Sequence, residues 1–219
     1  MPMEILLYVV PVVLAITVHE AAHGYAARHF GDTTAERAGR ITLNPFSHID
    51  PVGTVAVPLG IYLLSAISGG GGILFGWAKP VPVNFARLRN PKADMLWVAA
   101  AGPFANFVMA VGWTAVAAFA FGSAPGTYGH ALWMMSTGNY GGIAINCVLM
   151  FLNLVPIPPL DGGRIAVSLL PNKLAWRYAR VEPYGFPILL LLLVSGVLGR
   201  ILSPPLNLFA DGLLALFGL

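Results

Sequence analysis

Long stretches without any charged side chain are the feature that most constrains this 219-residue chain. No Asp, Glu, Lys or Arg occurs in residues 51–78, 95–160 or 183–199. Only 10% of all residues are charged and 57% are hydrophobic, whereas about a quarter of a typical soluble domain is charged. A bilayer-spanning helix needs about 20 mainly apolar residues. The sequence therefore predicts an all-α polytopic membrane protein.

Turn residues and segment length divide these apolar stretches. The 95–160 stretch is too long for one helix, and turn residues are concentrated in its first half, at 122–129, so we divide it into two helices. The chain is expected to form one membrane-embedded domain over 1–219. The predicted segments are spans at about 4–29, 94–121, 138–157 and 184–202, a re-entrant segment at 52–78, and a C-terminal apolar segment at 206–219.

The basic residues predict the orientation of these segments. They cluster after the first span, before the second and after the third, whereas the loop at 122–137 carries no charge. Because cytoplasmic loops are enriched in Lys and Arg, all three clusters are expected in the cytoplasm. Residues 52–78 must then enter and leave by the same face, which we prefer over a full crossing. The formal net charge of +3 is thus a topology signal, and no nucleic-acid partner is expected.

The first span contains His19-Glu20-x-x-His23, the H-E-x-x-H pattern. The i, i+4 spacing puts both imidazoles on one helical face, where they can share a zinc ion, with the glutamate beside them as general base. The alternative is a set of satisfied polar residues in a helix core. Three ionisable groups in an apolar span cost several kcal/mol unless something binds them, which favours the metal site.

Asp161 is the predicted third ligand, because zinc sites of this kind use three protein ligands and one water. Pro156, Pro158 and Pro159 interrupt the helix before it and allow the backbone to turn a carboxylate towards a metal. The alternative role of Asp161 is that of a helix N-cap. His48 is interpreted as part of a turn. The expected architecture is a helical bundle around an intramembrane zinc site, one Zn²⁺ per chain, with a re-entrant or β-like element at 52–92.

These motifs resemble those of the site-2 protease family of intramembrane zinc metalloproteases. The resemblance is carried by His19-Glu20-x-x-His23, by Ala101-Gly102-Pro103-x-x-Asn106, and by Asn153-x-x-Pro156 followed by Leu160-Asp161-Gly162; residues 39–45 and 75–84 also look like compact members of that family. Because the sequence shows no PDZ-like or nucleotide-sensing module, a compact member is expected. The expected location is the inner membrane of a prokaryotic cell, and the basic clusters predict an active site towards the cytoplasm. The implied substrates are transmembrane or signal-peptide-like proteins in the lipid bilayer.

Other residues are candidates for substrate contacts. Asn106 and Asn153 lie in apolar helices, where an amide could stabilise an oxyanion or simply join two helices by a hydrogen bond. The segment 79–84 has prolines at alternating positions, as in an edge strand. Val81 and Val83 could therefore pair with an extended substrate, although a rigid turn fits equally well.

The function predicted from these residues is zinc-dependent hydrolysis of peptide bonds in or near transmembrane segments. Glu20 would take a proton from the attacking water. Two alternatives remain: a membrane metal-ion transporter, since intramembrane His and Asp also mark ion pathways, and an inactive relative that binds membrane proteins.

Overall fold

The computed structural model describes residues 2–57, 59–60, 76–138 and 141–219, and most of the predicted re-entrant segment lies outside these residues. The described chain is helical and contains no strand, which agrees with the predicted all-α class. The principal helices are α1 Pro2–His29, α2 Thr34–Arg37, α3 Pro91–Ala120, α4 Tyr128–Thr137, α5 Gly142–Asn153, α6 Asp161–Leu169, α7 Asn172–Ala179, α8 Glu182–Val194 and α9 Val197–Leu216.

The long helices α1 and α3 pack against each other and form the framework of the site. They have 28 and 30 residues, or about 42 and 45 Å at 1.5 Å per residue. Helix α3 begins with Pro91 at its first position, and the Asp94 carboxylate accepts the N–H of Asn90 at 2.7 Å. Proline is favoured there because the first helical N–H has no intrahelical partner.

A buried apolar cluster joins α3 to α5 and α9. It is formed by Ala110, Ala117, Ile143, Cys147 and Leu213. The small alanines of α3 allow the other helices to approach closely, as is common between membrane helices. Cys147 is fully buried in this cluster, so its thiol fills space in the core.

Two of the described helices are long and apolar enough to cross a membrane: Val9–His29 within α1, and α3. They lie within the predicted spans at 4–29 and 94–121, apart from the first three residues of α3. Helices α8 and α9 meet the same criteria only as a pair, and they are bent by 80° at the break between them. That pair is a third candidate span.

Three predicted segments have different bounds in the structure. Helix α5 has 12 residues, about 18 Å, and is shorter than the span predicted at 138–157. The chain also breaks at Gly196, whose φ of +71° suits glycine, so the predicted segments 184–202 and 206–219 are divided near 195 instead. Helix α9 then continues through Pro204 and Pro205.

The two ends of the predicted re-entrant segment lie side by side. The N–H of Trp77 donates to the carbonyl oxygen of Gly53 at 3.0 Å, and the Thr54 hydroxyl donates to the Trp77 carbonyl at 2.9 Å. The N–H of Lys79 donates to the His48 carbonyl at 2.9 Å. The chain therefore returns, after residue 76, to the place that it left near residue 54.

The β-like conformation predicted within 52–92 is not a sheet strand in the described residues. Residues 76–84 have no regular secondary structure, and a 3₁₀ turn follows at Phe85–Arg87. Pro80 and Pro82 lack the N–H groups that a ladder would need. Because proline also restricts the residue before it to extended conformations, the segment can remain extended without a paired strand.

Candidate metal centre

Three electron-pair donors from two helices converge at one point. His19 and His23 lie one turn apart on α1, and Asp161 is the first residue of α6. The two Nε2 atoms are 3.1 Å apart, and Asp161 Oδ2 lies 3.3 Å from each. The three residues form a group that could hold a metal ion.

The loop before α6 explains how Asp161 reaches the histidines. A Cβ on Gly162 would lie 2.3 Å from the carbonyl oxygen of Leu154, and one on Gly163 would lie 2.3 Å from the nitrogen of Pro158. Two glycines therefore let the first turn of α6 press against the proline-rich loop. The helix begins at Asp161 itself, and Leu160 occupies the N-cap position, so Asp161 is not the N-cap of this helix.

The donor set fits a zinc ion. Asp161 Oδ2 is buried without a hydrogen-bond partner, although two ring nitrogens face it. Ligand atoms at about 2.0–2.1 Å from a tetrahedral zinc ion lie about 3.3 Å apart, which is close to the three observed separations. Two neutral imidazoles and one carboxylate leave a fourth position for water.

A chain of hydrogen bonds sets the tautomer of His19. The Gly142 carbonyl can only accept, so it takes an N–H of Asn146 at 2.8 Å; the Asn146 amide oxygen takes an N–H of Asn106 at 2.8 Å. The amide oxygen of Asn106 must then accept from His19 Nδ1, at 2.6 Å. The proton therefore lies on Nδ1, and the lone pair of Nε2 faces the candidate metal position.

A hydrogen bond also fixes the tautomer of His23, with the proton on Nδ1 as in His19. Its Nδ1 donates to the Val98 carbonyl oxygen on α3 at 2.7 Å. A backbone carbonyl can only accept, so Nε2 again carries the lone pair. Helix α3 thus orients both imidazoles without contributing a ligand.

The position of Asn106 argues against the oxyanion role predicted for it. Its side chain is fully buried, its oxygen faces His19, and its nitrogen donates to Asn146 and, at 3.3 Å, to the Ala15 carbonyl. These contacts leave it no exposed donor for a substrate. Its hydrogen bonds orient His19.

Gly102 allows α3 to approach the histidines. A Cβ at this position would lie 2.4 Å from His23 Nε2 and 2.6 Å from His19 Nε2. No side chain larger than hydrogen fits without moving both ring nitrogens. The resemblance included Gly102, but its role depends on the packing of α1 on α3.

We expect Gly102→Ala to weaken zinc binding by about 10- to 100-fold, because displaced imidazoles lose their geometry and their Nδ1 partners. The apparent zinc affinity can be measured by competition with a chromophoric chelator. Gly112→Ala is the control, because a Cβ at Gly112 on the same helix meets nothing within 4 Å. Equal affinities in the two variants would contradict this prediction.

Glu20 is held by residues 79–84, which we call the extended segment and which reach the site at Val81. Its Oε2 accepts the backbone N–H of Val81 at 2.7 Å. This contact occupies the N–H that was predicted to pair with a substrate strand, so at Val81 only the carbonyl remains for such pairing. No partner of the Val83 N–H is found among the described residues.

A cavity of about 290 Å³ lies beside the three converging donors. Asn153 reaches it, although an N–H of its amide is bonded to the Leu149 carbonyl at 3.0 Å. The remaining lining is mostly apolar, with one cation, Arg164, which is paired with Glu182 at 3.2 Å.

His48 does not line this cavity. Its Nε2 lies 3.0 Å from the Thr42 carbonyl oxygen, as expected for a turn residue.

Sequence reasoning missed Asn146 altogether. It lies in the apolar helix α5 and is fully buried, and it links Asn106 to the backbone of the same helix. An amide in an apolar stretch was the available signal, since such groups need partners inside a membrane. Its partner could not be known without the packing of α5 on α3.

The structure combines apolar candidate spans with a His-His-Asp group beside a glutamate. This combination defines a metal site of the kind found in H-E-x-x-H metalloenzymes. The comparison with known proteins agrees. The chain is 34% identical over 229 aligned residues to "Putative zinc metalloprotease YwhC" of Bacillus subtilis (strain 168), with 99% of this chain and 93% of that protein covered. The protein belongs to the family of zinc metalloproteases that includes YwhC.

A second relative is more distant. The chain is 29% identical over 188 residues to "Putative zinc metalloprotease Rip2" of Mycolicibacterium smegmatis (strain ATCC 700084 / mc(2)155), with 85% of this chain and 66% of that protein covered. No protein-family model matches the chain. No solved structure matches it significantly.

Proposed function

We propose that this protein is an intramembrane zinc endopeptidase of the site-2 protease type. It hydrolyses peptide bonds in or near the transmembrane segments of other membrane proteins. The observation that carries this proposal is the convergence of His19 and His23 with Asp161, beside Glu20. The two histidines and the glutamate lie in a helix apolar enough to cross a membrane. The family membership supports zinc as the metal. The single group of candidate ligands among the described residues supports one ion per chain.

Zinc held by the three side chains would polarise a peptide carbonyl and lower the pKa of a water molecule to about 7. Glu20 follows His19 in α1 and lines the same cavity. Its carboxylate takes the proton of the attacking water and passes it to the leaving amine. The N–H of Val81 holds one carboxylate oxygen and leaves the other free to receive that proton.

The substrate must be locally unwound, because a peptide bond inside a transmembrane helix is shielded by its own hydrogen bonds. The apolar wall of the cavity suits the side chains of such a segment. Val83 and the Val81 carbonyl are the groups that we propose for backbone contacts, and Asn153 is the candidate for stabilising the oxyanion. Signal-peptide-like segments share this apolar chemistry and belong to the same substrate class.

We also propose a multi-pass membrane domain whose active site opens towards the cytoplasm of a prokaryotic cell. The adjacent ends of segment 52–78 support a re-entrant path over a full crossing. Further contacts tie residue 89 to the C-terminal end of α1, where the Arg89 N–H donates to the Phe30 carbonyl at 3.0 Å. The basic clusters around residues 37–40 and 79–92 then share one face of the membrane.

The orientation can be tested with single cysteines in a Cys147→Ser background. We expect Gly39→Cys and Lys173→Cys to be protected from an impermeant thiol reagent in intact cells, and Gly126→Cys to be labelled. Lysed cells give the control for accessibility of each site. Labelling at 173 without labelling at 126 would invert the orientation, and labelling of Arg89→Cys from outside would contradict the re-entrant path.

Cleavage of a synthetic transmembrane peptide tests the function itself. The purified protein in detergent is compared with and without a zinc chelator, and the products are located by mass spectrometry. Chelator-sensitive cleavage supports the protease. Zinc flux into proteoliposomes without cleavage would favour a transporter, and peptide binding without either activity would favour an inactive relative.

A further inference from the structure

Asp32 is a buried carboxylate outside the metal centre, and the proposed hydrolysis does not use it directly. Its side chain is 0% exposed, yet both oxygens are hydrogen-bonded. Oδ1 accepts the N–H of Thr34 at 3.0 Å and also the Thr34 hydroxyl. Oδ2 accepts the backbone N–H of Asn84 at 2.6 Å. Carboxylates are almost never fully buried unless they are paired in this way.

The backbone of Asp32 is fixed to α1. The Asp32 N–H donates to the Ala27 carbonyl at 2.9 Å, and the Gly31 N–H donates to the Arg28 carbonyl at 3.1 Å. With the φ of +106° at Gly31, these bonds form the Schellman motif that ends the helix. Asp32 and Glu20 are therefore anchored on the same rigid element.

The extended segment is attached to this element at two points. The N–H of Val81 binds Glu20, and the N–H of Asn84 binds Asp32. A spacing of three matches the threefold repeat of an extended polyproline helix, the conformation that Pro80 and Pro82 favour. One side of the segment thus faces two carboxylates of the α1 region.

We propose that Asp32 is a positioning residue for Glu20. By holding Asn84, it keeps the N–H of Val81 on Glu20 Oε2, so that the glutamate has one fixed oxygen and one oxygen free to take a proton. A free glutamate side chain samples several rotamers, and the bond to Val81 restricts it. The inference rests on the proposed function only for its effect on catalysis, since the coupling between Asp32 and Val81 can be measured without any substrate.

The charge of Asp32 strengthens this anchor. Burial alone would raise the pKa of Asp32, but hydrogen bonds from Thr34 and Asn84 and the nearby positive charge of Arg87 hold the pKa below its usual range. The carboxylate is therefore ionised at neutral pH. Hydrogen bonds to an ionised acceptor are about twice as strong as neutral ones.

Amide hydrogen exchange measures the coupling directly. Pro80 and Pro82 have no amide hydrogen, so Val81 carries the one exchangeable backbone hydrogen in residues 80–82. We expect Asp32→Ala to speed exchange at Val81 by about tenfold, the effect of losing about 1.4 kcal/mol of protection. Glu20→Ala, which removes the acceptor itself, gives the reference for complete loss of this contact.

Kinetics then measure the consequence for the reaction. With zinc content unchanged, Asp32→Ala is expected to lower kcat by about 10- to 100-fold and to leave KM within about twofold, because a misplaced base affects the chemical step. Asp94→Ala is the matched control. Asp94 is also buried and caps a helix through Asn90, but it has no hydrogen bond to segment 79–84. We expect it to leave Val81 exchange unchanged.

Asp32→Asn tests the same contact if Asp32→Ala does not fold. Its amide oxygen can still accept from Thr34, and its amide nitrogen cannot accept the N–H of Asn84. Unchanged exchange at Val81 in a folded Asp32 variant would overturn the proposal, because Asp32 would then only stabilise the turn at Thr34. Faster exchange at Val81 supports the coupling even if the wild-type protein cleaves no peptide, a result that would refute the protease and leave the anchor intact.

Discussion

Glu20→Gln is expected to retain a full complement of zinc and to cleave a transmembrane peptide at least about 10²- to 10⁴-fold more slowly than the wild type. Glutamine has nearly the same shape as glutamate and can still accept the N–H of Val81, so the segment 79–84 should stay in place. An amide cannot take a proton from water at neutral pH. The variant therefore isolates the loss of the base from any change of structure.

Glu36→Gln is the matched control for this experiment. Glu36 is exposed and pairs with Arg28 at 3.1 Å, an interaction worth little at a protein surface. Zinc content by elemental analysis and rates under single-turnover conditions should be the same in this variant and the wild type. Cleavage by Glu20→Gln at the wild-type rate would remove Glu20 from the mechanism.

The part of the site that sequence could predict is the part set by local geometry and by the cost of charge in an apolar environment. The i, i+4 spacing of His19 and His23 determines their shared face once the segment is a helix. Asp161 is distant in sequence, but few ionisable residues flank the long apolar stretches, and the prolines before it indicated an unwound backbone. The structure brings these three donors within 3.3 Å of one another.

The part that sequence could not predict depends on how helices pack. Asn106 orients His19 only because α3 meets α1 in one particular register, with Gly102 one turn away against the imidazoles. A shift of α3 by two residues would turn the same amide elsewhere. The alternating prolines indicated that residues 79–84 are extended. They did not indicate that the N–H of Val81 would bind Glu20.

The helix boundaries in the C-terminal region also could not be predicted from the amino-acid composition. The apolar content of residues 184–219 predicts membrane segments, and the structure agrees that the region is helical and apolar. The division between helices follows from Gly196 in the left-handed region, a conformation that glycine permits but does not require. The 80° bend therefore had no unique signature in the sequence.

The second prediction with a large expected effect concerns zinc binding at the metal centre. His23→Ala combined with Asp161→Ala is expected to reduce zinc from about one ion per chain to below about one tenth, because a single histidine cannot hold the ion tightly. Cleavage should fall to the uncatalysed level. His29→Ala combined with Asp211→Ala is the matched control, since both residues are exposed and outside the converging group.

The same variants distinguish a metal site from a purely structural polar cluster. If His19, His23 and Asp161 only stabilised the bundle, the double variant would lose thermal stability while added zinc left the melting temperature of the wild type unchanged. If they bind zinc, the ion stabilises the folded wild type by mass action and has no such effect on the double variant. Full zinc content in the His23→Ala, Asp161→Ala protein would refute this site, because His19 alone of the three proposed ligands would then remain to bind the ion.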